Sequence, residues 1–97
     1  MGDEGRVIPD QIRNEAGMLL DDLRAFGWTV SSARYHRNVM GNWFVDIYRG
    51  EVKFRLIKDR GQYSIDGPKE ELVADGMWRV YDSFDEFSRS VASHATQ

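Results

Sequence analysis

The sequence predicts an α+β fold, a two-layer sandwich ordered as helix, four-stranded antiparallel meander sheet, helix, within a single domain spanning residues 1–97. Three observations predict it. An apolar stripe of helical period fills the first third of the chain. Two Arg-Gly pairs punctuate a middle run in which apolar and charged residues alternate. A capping signal then opens an amphipathic stretch near the end.

The first helix is expected over residues 9–26. Ile12, Ala16, Leu19, Leu20, Leu23 and Phe26 recur on one face, and burial of that stripe is what holds a short helix in place. Pro9 suits the first turn and Gly27 the position just past the end. Arg13, Glu15, Asp21, Asp22 and Arg24 fall mainly on the wet side. Gly17 costs about 1 kcal/mol relative to alanine inside a helix, which suggests a close packing contact there. Residues 1–8 are expected to be flexible.

After Gly27 the period changes. Residues 28–37, rich in β-branched and aromatic side chains, read as a strand, and 38–41 as a turn. With Arg49-Gly50 as a two-residue loop, Ile47 faces Val52, Val45 faces Phe54 and Trp43 faces Leu56. The other face then opposes Tyr48 with Glu51, Asp46 with Lys53 and Phe44 with Arg55. With Arg60-Gly61 as the next loop, Leu56 faces Ile65, Arg55 faces Asp66 and Ile57 faces Ser64. Trp43, Val45, Ile47, Val52, Phe54, Leu56 and Ile65 thereby share the face to be covered by both helices. Phe44, Tyr48, Lys53, Arg55 and Ile57 share a partly open one.

Residues 67–81 read as an irregular connection, with a short helical turn and a surface loop both left open. Trp78, Val80 and Tyr81 are expected to pack on the sheet. Ser83 and Glu86 match the S-x-x-E capping box, and Phe84, Phe87, Val91 and Ala95 follow at helical spacing. The last helix is expected over 83–94.

Composition narrows the function. The chain is 41% hydrophobic, 30% charged and 12% aromatic, which excludes a disordered chain. It has no cysteine, which removes disulfides, thiolate nucleophiles and cysteine-based zinc sites. Its two histidines, His36 and His94, are far apart in sequence, so no metal cluster is expected, and His94 is expected in a fraying terminus. The start lacks an apolar signal core, Arg6 stands where a myristoylation signal needs serine or threonine, and no run is long enough to span a membrane. A soluble cytoplasmic protein with no membrane association is expected.

The net charge of −3 is uneven. Residues 49–60 carry a local +3 and residues 66–86 a local −5. The acidic balance disfavours a nucleic-acid-binding domain, which is usually basic. No nucleophile–base pair, phosphate loop or dinucleotide motif is present. Asp46 and Asp66 can approach one another across the central strand, but cross-strand ion pairing accounts for them better than acid–base work. His36 lacks a second catalytic group nearby. Hence no catalytic residue, no cofactor and no enzymatic activity are expected.

The stretch "WFVDIYRGEVKFRLIKDRGQYSID", followed by "MWRVYDSFDEFSRSV", resembles a pattern in small uncharacterised bacterial α+β proteins, some regarded as immunity proteins of polymorphic toxin systems. The carrying features are the corner Lys58-Asp59-Arg60-Gly61-Gln62, with lysine where the pattern has arginine at 58, and Trp78 ahead of the acidic, aromatic "YDSFDEF". The resemblance covers residues 43–91 and transfers no catalytic residue. It implies a non-enzymatic protein that binds and blocks a toxin.

Two surfaces are candidates for partner binding. One is the open face with Phe44, Tyr48, Lys53 and Arg55. The other is the acidic segment with Glu70, Glu71 and Asp75, which could steer onto a basic toxin. A protein partner is the leading expectation. A nucleic-acid-binding sheet, stacking bases on Phe44 and Tyr48 beside Lys53 and Arg55, is the alternative. A homodimer is left open.

Overall fold

The computed structural model describes residues 8–95. Helix α1 (Asp10–Ala25) leads into a four-stranded sheet of β1 (Thr29–His36), β2 (Asn42–Arg49), β3 (Val52–Asp59) and β4 (Gln62–Asp66). Helices α2 (Lys69–Ala74) and α3 (Phe84–Ala95) follow. The strands lie in the order β1-β2-β3-β4, all antiparallel, as the meander requires. The expected α+β fold with an open sheet face is therefore what the chain adopts.

The helical stripe does what its period predicts. Ile12, Ala16, Leu19, Leu20 and Leu23 of α1 are buried. From α3, Phe87, Val91 and Ala95 join them, and all pack on Trp43, Val45, Ile47, Phe54, Leu56 and Ile65 of the sheet. Phe26 departs from expectation. It is the C-cap of α1 and half exposed. There the chain turns away, with Trp28 N–H donating to the Leu23 carbonyl at 3.1 Å and Gly27 N–H to that of Arg24 at 3.0 Å. This is the Schellman pattern, which satisfies the orphan carbonyls of the last turn. Gly17 does not serve close packing, since an added Cβ would meet only the Arg13 stem at 3.5 Å. The expected flexibility of residues 1–7 falls outside the described residues, whereas Ile8 belongs to the core.

The two Arg-Gly corners differ. At the second, Arg60 (φ 56°) and Gly61 (φ 79°) both occupy the left-handed region, the sign pattern of a type I′ hairpin turn. Leu56 faces Ile65, Arg55 faces Asp66 and Ile57 faces Ser64, as expected. At the first, the loop is Gly50-Glu51 rather than Arg49-Gly50. Only the first loop residue, Gly50, has positive φ, at 63°, which is where a type II′ turn needs glycine. Arg49 stays in β2 and faces Val52. The true partners are therefore Ile47–Phe54, Val45–Leu56, Trp43–Lys58, Asp46–Arg55, Tyr48–Lys53 and Phe44–Ile57.

This register differs from the expected one by two residues, so every side chain keeps its face. The core set survives except Val52, which lies at the sheet end and is partly exposed. In β1 the alternation breaks between Val30 and Ser32, where a bulge inserts a residue. Val30 is thus buried on the core face, and Ala33 and Tyr35 pack against the same core.

The 67–81 connection contains both a helix and a strand-like contact. After α2, whose Leu72 is buried, Tyr81 pairs with Tyr63 through reciprocal backbone hydrogen bonds of 2.7 and 2.8 Å. Tyr81 is buried, but Trp78 and Val80 are half exposed and do not pack into the core. Lys69 and Arg79 instead lie over the rings of Trp78 and Tyr81 at 5.4 and 4.3 Å. At the start of α3, Ser83 Oγ accepts from Glu86 N–H at 3.1 Å. The Glu86 carboxylate pairs with Arg79 at 3.3 Å, so only half of the capping box forms.

Candidate functional site

The uncovered sheet face brings together the aromatic and basic residues singled out from sequence. Asp46 of β2 directly opposes Arg55 of β3, and Arg55 opposes Asp66 of β4. Arg55 donates to both Asp46 oxygens, from Nε at 2.7 Å and from Nη2 at 3.0 Å. Its guanidinium also lies 4.0 Å from the centre of the Phe44 ring. Hydrogen bonding to Asp46 raises the Arg55 pKa, burial opposes this, and the charges of Asp46 and Asp66 add to the rise. The expected Asp46–Lys53 pair is not formed, because the two-residue change of register gives Asp46 to Arg55 and sets Lys53 opposite Tyr48.

Ser31, Asp46, Tyr48, Lys53, Arg55 and Asp66 line a concavity of about 650 Å³ on this face. Its floor comes within reach of the core at Gly67. An added Cβ there would stand 2.5 Å from Phe54 Cδ1 and 3.0 Å from the Lys53 carbonyl. Phe44 borders a neighbouring hollow with His36, whose ring is tilted against it at 6.0 Å. Phe44, Tyr48, Lys53 and Arg55 are therefore one surface.

Glu70, Glu71 and Asp75 are not part of it. They sit on α2 and its C-cap. Glu71 and Asp75 contact His94 of α3, at 3.1 Å to Nε2 and 2.7 Å to Nδ1. His94 is thus not in a frayed end: its side chain is 15% exposed and packs edge-on against Phe54 at 5.6 Å. The other carboxylates of 66–86 are dispersed. Asp82 accepts from Gln62 at 2.8 Å, Asp85 pairs with Arg89 at 2.8 Å, and Glu86 pairs with Arg79.

Two further polar clusters escaped the sequence reading. Glu15, expected on the wet side, tucks against the sheet and accepts from Trp43 Nε1 at 3.0 Å, Lys58 Nζ at 3.2 Å and the Tyr63 hydroxyl. Burial pushes its carboxyl pKa up, but the hydrogen bonds from Tyr63, Trp43 and Lys58 and the Lys58 charge outweigh this and hold it below its usual value. Burial, then the hydrogen bond and charge of Glu15, push the Tyr63 phenol up. A phenol held protonated in this way is a structural donor.

Arg49 is the second case. Its guanidinium lies 4.6 Å from the centre of the Trp28 ring and donates to the carbonyls of Phe26 at 3.0 Å and Ala95 at 3.3 Å. It thus supports the C-terminal ends of α1 and α3. Arg60, by contrast, has an 80% exposed side chain at its corner.

Among the described residues, no helix is long and apolar enough to cross a membrane. Comparison with family models, with curated proteins and with solved structures finds no match to this chain.

Proposed function

We propose that this chain is a non-enzymatic cytoplasmic binding module that acts through a protein partner docked on the open sheet face. The resemblance seen in the sequence suggests a specific form of that role, neutralisation of a bacterial toxin. One observation carries the reading. The uncovered face sets Phe44 and Tyr48 among charges that largely cancel, with Arg55 held between Asp46 and Asp66. Aromatic side chains among satisfied polar groups suit protein interfaces, where they supply contact area at low entropic cost. A nucleic-acid backbone would need cations free to neutralise phosphates. Arg55 is already paired.

The test is capture from the native host, with wild type compared against Tyr48→Ala and Phe44→Ala. The captured protein is then purified and rebinding is measured. Expected is one protein that rebinds wild type and loses affinity at least tenfold for either variant, about 1.4 kcal/mol. Equal binding by wild type and both variants would remove the open face from the interface. Salt-sensitive binding of single-stranded oligonucleotides, lost in Lys53→Ala, would favour the nucleic-acid reading instead. A concentration-dependent dimer abolished by Tyr48→Ala would make the partner a second copy of the chain.

A further inference from the structure

The two outer edges of the sheet differ. β4 is covered at Tyr63, whose backbone exchanges hydrogen bonds of 2.7 and 2.8 Å with Tyr81. β1 ends the sheet on the other side, and among the described residues no segment pairs beyond it. An unpaired edge presents its outward N–H and C=O groups to any extended chain.

The register identifies those groups. The two-residue loop Gly50-Glu51 is closed by the pair Arg49–Val52. β2 therefore bonds β3 through Arg49, Ile47, Val45 and Trp43, and turns the groups of Tyr48, Asp46, Phe44 and Asn42 toward β1. Ser31 Oγ, donating to the Asp46 carbonyl at 3.3 Å, agrees with this. In β1 the residues opposite Asp46, Phe44 and Asn42 are Ser32, Arg34 and His36, which bond inward. Ala33 and Tyr35 alternate with them and direct their N–H and C=O groups outward. Among the described residues, no backbone hydrogen bond outside the β1–β2 ladder reaches these groups. The bulge at Ser31 distorts the first half of the edge. Ser32–His36 stays regular, without the lysine or proline that blunts an edge strand.

Side chains select the occupant. Residues 28–37 contain no aspartate or glutamate but carry Arg34, His36 and Arg37, in a chain of net charge −3. Arg34 is exposed, beside Phe44 of β2, and among the described residues no carboxylate pairs with it. Ala33 and Tyr35 pack against the core on the other face. An added strand therefore needs an acidic residue opposite Arg34 and apolar residues opposite its two neighbours. A second copy of the chain does not meet this. The antiparallel register that joins Ala33 and Tyr35 of one copy to Tyr35 and Ala33 of another sets Arg34 against Arg34, and like charges directly opposite are destabilising. We propose that the Ser32–His36 edge of β1 binds an extended segment of a partner protein by strand addition. An apolar–acidic–apolar triplet of that segment lies against Tyr35, Arg34 and Ala33. The main-chain groups of Ala33 and Tyr35 hold the segment, and the Arg34 charge selects it. The site uses none of Phe44, Tyr48, Lys53 or Arg55, so it stands or falls separately from docking on the open face.

The probe is the end-blocked peptide TTVEVTT, with TTVKVTT as its control, added to the full chain at low salt. Amide exchange is followed residue by residue by NMR. In the free chain the Ala33 and Tyr35 amides are expected to exchange at least about tenfold faster than that of Arg34, which bonds to β2. At about 5 mM, TTVEVTT slows both at least about threefold, as a dissociation constant below about 2.5 mM gives. TTVKVTT leaves them unchanged. Arg34→Glu exchanges the preference between the two peptides. Ala33→Pro removes one outward donor while sparing the bonds to β2, and it lowers the protection that TTVEVTT gives Tyr35. The proposal is overturned if the Ala33 and Tyr35 amides of the free chain exchange as slowly as that of Arg34. It is overturned equally if TTVEVTT leaves them unprotected, if both peptides protect them alike, or if raising the protein concentration alone protects them, which would make the occupant a second copy. Should Ala33→Pro fail to fold, the wild-type exchange pattern and the Arg34→Glu exchange of preference decide.

Discussion

On the helix-covered side of the sheet, Val45, Ile47 and Leu56 are at most 1% exposed. On the other side Tyr48 is 38% exposed and the Arg55 guanidinium lies over the Phe44 ring. The same strands supply both faces, because successive residues of a strand point in opposite directions. What differs is the kind of interaction. The covered face is largely apolar, and where the ionised Glu15 enters it, its oxygens are satisfied by Trp43, Lys58 and Tyr63. The open face is held by a solvent-accessible ion pair and a ring contact, which contribute little to folding. On the proposed reading stability and recognition fall on opposite sides of the sheet, and substitutions on each can separate them.

The largest effect is expected from Leu56→Ala. Leu56 is fully buried between β2 and β4, opposite Val45 and Ile65. Its truncation removes apolar contact and leaves a cavity that the sheet cannot close, at a cost of about 2–5 kcal/mol. Urea unfolding monitored by tryptophan fluorescence checks this. Gly67→Ala comes next. Its methyl group would press on Phe54 and on the Lys53 carbonyl, and such overpacking costs about 1–3 kcal/mol. This position lines the open-face concavity, so a loss of that size would show that the two sides meet there.

Glu15→Gln is expected to cost about 1–3 kcal/mol, because Lys58 loses its charged partner and the hydrogen bonds become neutral ones. The pH dependence has a definite sign. The folded-state pKa of Glu15 lies below its ordinary value of 4.5. Its contribution is therefore fully present above that value and lost as pH falls through the lowered folded pKa. Tyr63 works in the opposite direction, since its pKa is raised from 10.0. Its contribution is complete below about 10 and declines as pH rises beyond it. Unfolding free energies measured across both limbs should show each slope in wild type and a weaker one in Glu15→Gln.

The alternation of apolar and charged residues made the two faces legible from sequence, and with them the grouping of Phe44, Tyr48, Lys53 and Arg55. The register was legible only to within two residues. A slip of two leaves every side chain on its own face, so hydrophobic pattern cannot detect it. The choice falls to turn chemistry and to Arg49, whose contacts with Trp28, Phe26 and Ala95 reach across the fold. The Glu15 cluster and the Glu71–Asp75–His94 contact were hidden for a related reason. Each joins residues far apart in sequence through the packing of two elements, and no local spacing encodes it. Glu15 sits at a position that looks solvated on a helical wheel, and α2 is too short to announce itself by period.

The smallest effect on stability is expected from Arg55→Ala, and it is the most informative for the comparison. Arg55 makes a bidentate ion pair with Asp46 on a face with no helix above it, and its side chain is 46% exposed. Exposed pairs contribute about 0–1 kcal/mol, and the Phe44 contact adds about 0.5–1 kcal/mol. The pair with Asp46 can be isolated by a double-mutant cycle with Asp46→Ala, read from urea midpoints, since the two residues are in direct contact. A coupling below about 1 kcal/mol would match the division between the faces. The same variants should alter partner binding more than folding, because removing Arg55 uncovers Phe44 and leaves Asp46 and Asp66 unneutralised. A coupling of several kcal/mol would mean that this pair is part of the structural core, and the separation of stability from recognition would not hold.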